Sequence, residues 1–395
     1  MAEDPPQENL LCISFTQDSR AISVGHKDGY ILYRTMDISD SSILPYEGEM
    51  SSIPTMKDVV VLERLFLSSL MCLVSQKDPR VMHVCHFASK NSICDYKFNK
   101  SILNIKMNRD RIVVCLEDMI MIYNLKDMKL MHNIVDTPLN RLGIIDLSSE
   151  TKTALLAYPG NNETGSIHIF DAMNLTSVNT FVAHEGTLAA IKFNPNGTML
   201  ATASTKGTVI RVYSVPQGNR LFEFRRGVAR CVTIYSLAFS SDSAYLCSSS
   251  NTETVHVFKL EKTEEPVNNE ATTEATSSWY DVFTRTASAY MPTQVSDLIS
   301  VERSFATAKL PNSEKRNVVA LVTLKGQQHV VVATYDGYLY CYRLDAAGGE
   351  LDLVKQHRIG PNAEGAKAKP RPTSESGVPN MDDPDNFPPM IHTSS

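Results

Sequence analysis

No stretch of this 395-residue chain approaches the roughly 20 consecutive apolar residues that span a bilayer. Its first nine residues are polar and acidic with two prolines, the reverse of a signal peptide's basic-then-apolar order. A cytosolic chain with at most peripheral membrane contact is expected. A basic excess is also missing: the net charge of -6 and pI near 6.0 argue against a general nucleic-acid binder, so any anion site must be local. The sequence has no phosphate-cradling Gly-x-x-x-x-Gly-Lys, no Gly-x-Ser-x-Gly elbow and no paired-carboxylate motif, so nothing supports an enzyme and no cofactor is expected. His83, Cys85 and His86 look like metal ligands only superficially, because alternation along a strand sends neighbours to opposite faces; no metal is expected. The eight cysteines lie mostly inside apolar runs, as Cys72, Cys115, Cys247 and Cys341 do, without the spacing of a disulfide framework, and read as reduced core residues.

What the chain does contain is a repeat: a hydrophobic strand, a polar turn, a strand of β-branched and small residues, another turn, and a strand with aromatics. It is clearest in IKFNPNG, TMLATAS and TVIRVYSV between Lys192 and Val215, with turns at Asn196-Gly197 and Lys206-Gly207 that call for positive φ. Taking Phe15, Phe66, Met107, Leu147, Phe193, Phe239 and Leu324 as anchors, the steps are 51, 41, 40, 46, 46 and 85 residues. Most are near the ~40 to 45 residues of a WD-type blade. Trp-Asp dipeptides are absent and the single tryptophan, Trp279, falls outside the strands, so the repeats are degenerate. The fold class is therefore all-β, a seven-bladed β-propeller over residues 10–358, in which ring closure leaves only short protected strand edges.

The 85-residue step marks an insertion in blade six, residues 261–300. It opens with the acidic, aperiodic EKTEEPVNNEATTEATSS and then places Trp279, Val282, Phe283, Ala287 and Tyr290 at helical spacing, with Ser277 or Ser278 as N-cap and Pro292 as stop. Residues 1–9 and the Pro-, Ser-, Gly- and Asp-rich segment 359–395 are expected to be disordered.

At the end of a strand-like run, Asn219 to Phe224, stand two adjacent arginines, Phe224-Arg225-Arg226-Gly227. Alternation should turn the two guanidiniums to opposite faces, where they can serve separate anion pockets. A solvated strand end is the ordinary fate of such a pair. Here Gly227 permits close backbone approach, and both neighbourhoods are rich in donors: Thr202, Ser204, Gly207, Thr208 and Arg211 upstream, Ser250, Thr254 and His256 downstream.

With these residues in place the chain resembles the PROPPINs, phosphoinositide-binding β-propellers that include the WIPI proteins of autophagy. The likeness extends over nearly all of residues 10–358 and is most diagnostic in LATASTKGTVIRVYSVPQGNRLFEFRRGVARCVTIYSLAFSSDSAYLCSSSNTETVHVFKL. The resemblance implies one headgroup site made by Arg225 with Thr202, Ser204, Gly207, Thr208, Arg211 and His184. It implies a second made by Arg226 with Ser250, Thr254 and His256, Gly227 lying in the signature turn. The implied ligands are phosphatidylinositol 3-phosphate and phosphatidylinositol 3,5-bisphosphate. The blade-six insertion, through Trp279, Val282, Phe283 and Tyr290, corresponds to the family's membrane-inserting loop, with a helix packed on the propeller or a nonfunctional disordered loop as the alternatives.

A second basic set, His86, Arg109, Arg111, Lys126 and Lys129, lies in blades two and three, where scattered charges are usually solvated surface. The chain looks most similar to the WIPI branch. In that branch a groove on His86, Arg109, Lys126 and Lys129 receives the coiled-coil subunit of the ubiquitin-like conjugation complex, and the autophagy lipid-transfer partner docks in the same region. Lys126 stands where the family pattern has arginine, which removes bidentate pairing. The expected function is a phosphoinositide effector that recruits autophagy machinery, cytoplasmic and peripheral on preautophagosomal and endosomal membranes. A propeller adaptor that binds acidic peptides without lipid is the alternative from another class.

Overall fold

The computed structural model describes residues 10–43, 45, 56–88, 91–135, 137–150, 153–226, 231–261, 303–312 and 315–363. Their strands form seven sheets in chain order, antiparallel but for one short edge strand: blade one (10–34), two (59–97), three (104–134), four (146–184), five (188–225), six (234–309) and seven (317–358), with Gly349–Glu350, from the last connection of blade seven, pairing parallel with Ala306–Lys309 of blade six. The chain is a seven-bladed β-propeller, and its one helical element among the described residues is the 3-10 turn Thr35–Ser39. Gly227 and the predicted insertion residues Trp279, Val282, Phe283 and Tyr290 lie outside the described residues.

Each blade runs from an inner strand at the axis to an outer strand at the rim. The seven sequence anchors all fall at the ends of inner strands: Phe15, Met107, Leu147, Phe193, Phe239 and Leu324 are last residues, and Phe66 follows Arg64 by two. The hydrophobic repeat therefore reports the layer that lines the axis. Turn chemistry follows as well. Gly197 and Gly207 adopt φ of +66° and +63°, the left-handed region that glycine enters without Cβ strain.

Blades pack through small and branched residues from facing sheets. Between five and six, Ala201, Ala203, Ile210 and Val212 meet Leu237 and Leu246, and Phe224 stacks on Phe258 with centroids 4.7 Å apart. Burying each such large side chain is worth about 1.5–3 kcal/mol. The ring closes when blade seven packs on blade one, where Val331 and Leu339 share a cluster with Ile22 and Val24. Near the end of the described chain, His357 Nε2 bonds the Ile38 carbonyl at 2.8 Å and the Gly360 amide donates to the Tyr33 hydroxyl at 2.8 Å, tying the ring shut.

Inner strands of neighbouring blades do not share a hydrogen-bond ladder, so polar side chains bridge them. Asn108 of blade three donates to the Ser148 carbonyl of blade four, and Asn194 of blade five to Ser243 Oγ of blade six. A line of alternating charge crosses four blades beside a central cavity of about 310 Å³: Glu63, Lys106, Asp146 and Lys192. The Glu63–Lys106 pair is 3.7 Å apart and Asp146–Lys192 3.2 Å. Burial pushes the Glu63 carboxyl up, against the pull of Lys106, and the Lys106 ammonium is raised chiefly by Glu63.

Candidate functional site: the rim of blades four to six

The outer strand of blade five, Arg220–Arg225, pairs with Val209–Ser214, placing Arg225 opposite Val209 and Glu223 opposite Arg211. Opposed residues share a face, and so do residues two apart. Arg225 thus lies on the face of Arg211, whose Nη1 donates to the Ala183 carbonyl of blade four at 2.7 Å. Phe224 points the other way, into the cluster with blade six. Arg226, just past the strand, follows it and donates through Nη2 to Thr252 Oγ1 of blade six. One backbone step separates a guanidinium on the sheet face of Arg211 from one bonded to blade six.

On the blade-four side His184 Nε2 and Thr202 Oγ1 are 2.9 Å apart, and the Thr202 hydroxyl is 3.2 Å from the Arg211 carbonyl it can donate to. Arg211 is further committed by a 2.7 Å bond from Nε to Glu223, which also accepts from Arg220 at 2.8 Å. Burial, with Arg211 nearby, lowers the His184 imidazole from 6.5 to about 4, so it is neutral at physiological pH. Arg225 is half-buried, and its Nε is shielded from solvent with no acceptor among the described residues. A buried donor of this kind calls for a partner.

Ser204 is buried, and its carbonyl accepts from the Gly207 amide at 2.9 Å. The Thr208 carbonyl accepts from the Arg226 amide at 3.1 Å, so this turn anchors the end of the arginine strand. A Cβ on Gly207 would stand 2.0 Å from the Val232 carbonyl, which explains the glycine by close backbone approach.

On the blade-six side Ser250 Oγ and Thr252 Oγ1 are 3.0 Å apart. His256 opposes Ser248 on the neighbouring strand, and both His256 Nδ1 and Ser248 Oγ are shielded with no partner among the described residues. Burial first and Arg226 second lower His256 to about 4. Thr254 opens the strand Thr254–Lys259, opposite Lys309, and is half-buried.

The predicted residues therefore divide into two layers. Thr202 and Ser250 are fully enclosed and brace their neighbours, whereas Arg225, Arg226, Thr208, Thr254 and His256 stand part-exposed. Thr252 was not anticipated; its signal was a further hydroxyl two residues beyond Ser250 in the same turn.

The second basic set sits on the opposite rim, where the turns after first and third strands lie. Arg109 stacks its guanidinium on Phe66 of blade two, 4.7 Å from the ring centroid. His86 ends the third strand of blade two. Lys126 and Lys129, both exposed, occupy the turn before the outer strand of blade three, at 3.9 Å from Asp110 and 3.6 Å from Asp127. Arg111 does not belong with them. It is buried and donates to the carbonyls of Ala172 and Met173, holding blade four against blade three.

The PROPPIN family model matches residues 9–360. The chain belongs to the PROPPIN family. Autophagy-related protein 18 of Caenorhabditis elegans is 61% identical over 408 residues, covering 100% of this chain and 98% of that protein. WD repeat domain phosphoinositide-interacting protein 1 of Homo sapiens is 45% identical over 365 residues, 91% of this chain and 79% of the relative. Among solved structures, Kluyveromyces lactis Hsv2 superposes with a TM-score of 0.67 at 20% identity, covering 89% of this chain and 100% of the other. KlAtg21 in complex with the coiled-coil of AgAtg16 superposes at 0.66 and 22%, with the same coverage. At such identities the structural likeness shows the fold; the sequence relatives show the family.

Proposed function

We propose that this PROPPIN is a phosphoinositide effector. It holds phosphatidylinositol 3-phosphate and phosphatidylinositol 3,5-bisphosphate in two pockets on either side of Arg225-Arg226 and carries autophagy proteins to forming autophagosomal membranes. The observation that carries this reading is the two-sidedness of the arginine pair: register puts Arg225 on the sheet face of Arg211, beside the His184–Thr202 bond, while Arg226 donates to Thr252, next to Ser250. Each cluster combines a guanidinium with a neutral imidazole and hydroxyls, the donor set for a phosphate and an inositol ring. The human relative is itself named phosphoinositide-interacting.

Two sites on one rim give avidity. Once one lipid is held, the second is captured at high effective concentration, which allows membrane residence despite a net charge of -6. The protein acts as a binding scaffold, cytoplasmic and peripheral on phagophore and endosomal membranes. The insertion 261–300, with Trp279, Val282, Phe283 and Tyr290, adds an interfacial contact to the propeller of residues 10–358.

In flotation with vesicles containing phosphatidylinositol 3-phosphate, wild type is expected to bind and the Arg225→Ala, Arg226→Ala double variant to stay in solution. Equal flotation of the two overturns the lipid reading and favours an adaptor for acidic peptides. The basic rim of His86, Arg109, Lys126 and Lys129 receives the coiled-coil subunit of the conjugation complex or the lipid-transfer protein. The Arg109→Glu variant is expected to lose capture of the coiled-coil subunit and keep flotation; retained capture removes Arg109 from that interface.

A further inference from the structure

The outer strand of blade four, Thr176–His184, reads TSVNTFVAH and carries no Asp, Glu, Lys or Arg. Exposed edge strands normally bear charge to block unwanted pairing. The outer strands of blades two, five and seven do: Asp95 and Lys97; Arg220, Glu223 and Arg225; Lys355 and Arg358. On blade four Val182 is 64% exposed and Val178 41%. The strand's other residues are engaged within the propeller. Phe181 packs on Tyr213 of blade five, Asn179 donates to the carbonyls of Pro216 and Gln217, and Ser177 and Thr180 bond the two ring nitrogens of His168 at 2.9 Å each. The strand is thus firmly held while its valines stay outside.

The strand ends at His184, the residue that bonds Thr202 in the first cluster. The register slips at Ala183, between Val182 opposite Ser166 and His184 opposite Gly165, so the two residues lie at most about 7 Å apart along the strand. The polar layer on each side of a bilayer is about 5–8 Å deep, so a valine so close to a held headgroup reaches the lipid interface. The charges around the strip match an anionic bilayer. Lys206 is exposed in the adjoining turn of blade five, Arg220 is exposed and Arg225 half-buried on its outer strand, and Glu223 is already paired with Arg211 and Arg220. Glu185, exposed, bounds the strip just beyond the strand. Blade three's outer strand, Leu130–Ile134, is also uncharged, but it follows the exposed lysine Lys129 and lies a blade further from the arginines.

We infer that the outer strand of blade four is a second membrane-contacting element, whose Val178 and Val182 enter the interface of an anionic bilayer beside the first headgroup pocket. This rests on the phosphoinositide reading above, and it adds a contact on the blade-four side of that pocket. An apolar contact beside the headgroup site limits how the propeller can tilt on the membrane.

The test uses the full chain in a Cys231→Ser background, because Cys231 is the exposed cysteine of the described residues. An environment-sensitive fluorophore is attached to Val182→Cys, and to Leu353→Cys on the outer strand of blade seven, which is 43% exposed, as control. On phosphatidylcholine vesicles containing phosphatidylinositol 3-phosphate, the probe at 182 is expected to shift to the blue and be quenched by spin-labelled lipid, while that at 353 does neither. The Val178→Ser, Val182→Ser variant is expected to lose about five- to tenfold in vesicle partition with unchanged affinity for soluble inositol 1,3-bisphosphate. No spectral shift at 182, or undiminished partition of the serine variant, overturns the inference while wild-type binding that depends on Arg225 and Arg226 leaves the headgroup reading standing. Failure of the arginine dependence sinks the headgroup reading separately.

Discussion

Acid should loosen this propeller at the candidate site, and His184 allows the effect to be worked out. The imidazole is 4% exposed, and burial beside Arg211 lowers it from 6.5 to about 4. A group with a depressed native value binds protons more readily when unfolded, so the stability it contributes is complete above pH 6.5 and is lost as pH falls toward 4. The gap corresponds to about 3 kcal/mol when fully expressed, of which about 2 kcal/mol is gone by pH 5, where an unfolded histidine is charged and the native one still neutral. His256, lowered to about 4 by burial and Arg226, adds a similar loss over the same window. The perturbation is His184→Gln, whose amide retains a donor for Thr202 but does not titrate. Thermal melts of wild type at pH 7.5 and pH 5 should differ by several degrees more than those of the variant. Equal losses, or a His184 proton resonance that titrates in the native protein with a midpoint near 6.5, would mean that burial does not hold this imidazole neutral.

Two further outcomes follow from the same rim. Gly207→Ala is expected to cost about 1–2 kcal/mol for the left-handed backbone alone and more for a Cβ set 2.0 Å from the Val232 carbonyl, lowering the melting temperature and headgroup binding together; an unchanged melt would contradict the geometry. Thr252→Ala removes a hydrogen-bond acceptor of Arg226, and calorimetry with inositol 1,3-bisphosphate should show a roughly three- to tenfold loss that Thr252→Ser restores; a serine variant as weak as alanine would rule out a role for the hydroxyl.

The fold was legible because what specifies a blade is local. Strand, turn and strand follow within about 45 residues, and the anchors from Phe15 to Leu324 mark inner strands since those bury apolar side chains in every blade. Strict alternation likewise made the divergence of Arg225 and Arg226 readable. The site's finer assignments were less so. Thr202 and Ser250 carry suitable hydroxyls but are wholly enclosed, while Thr252 reaches Arg226 from 26 residues away. Arg111 has the same chemistry as Arg109, yet it opens a strand and turns into the body, whereas Arg109 occupies the preceding turn and lies over Phe66.

The number of blades, the glycine turns and the two-sidedness of the arginine pair are consequences of backbone periodicity and could be read along the chain. Which side chains from different blades meet is set by the packing of the closed ring. The Glu63–Lys106–Asp146–Lys192 line, the bond between His184 and Thr202, and the bare valine edge of blade four depend on how sheets twist and stand against one another in a closed ring. That packing sets distances between residues far apart in the chain, and pattern along one strand carries no measure of them.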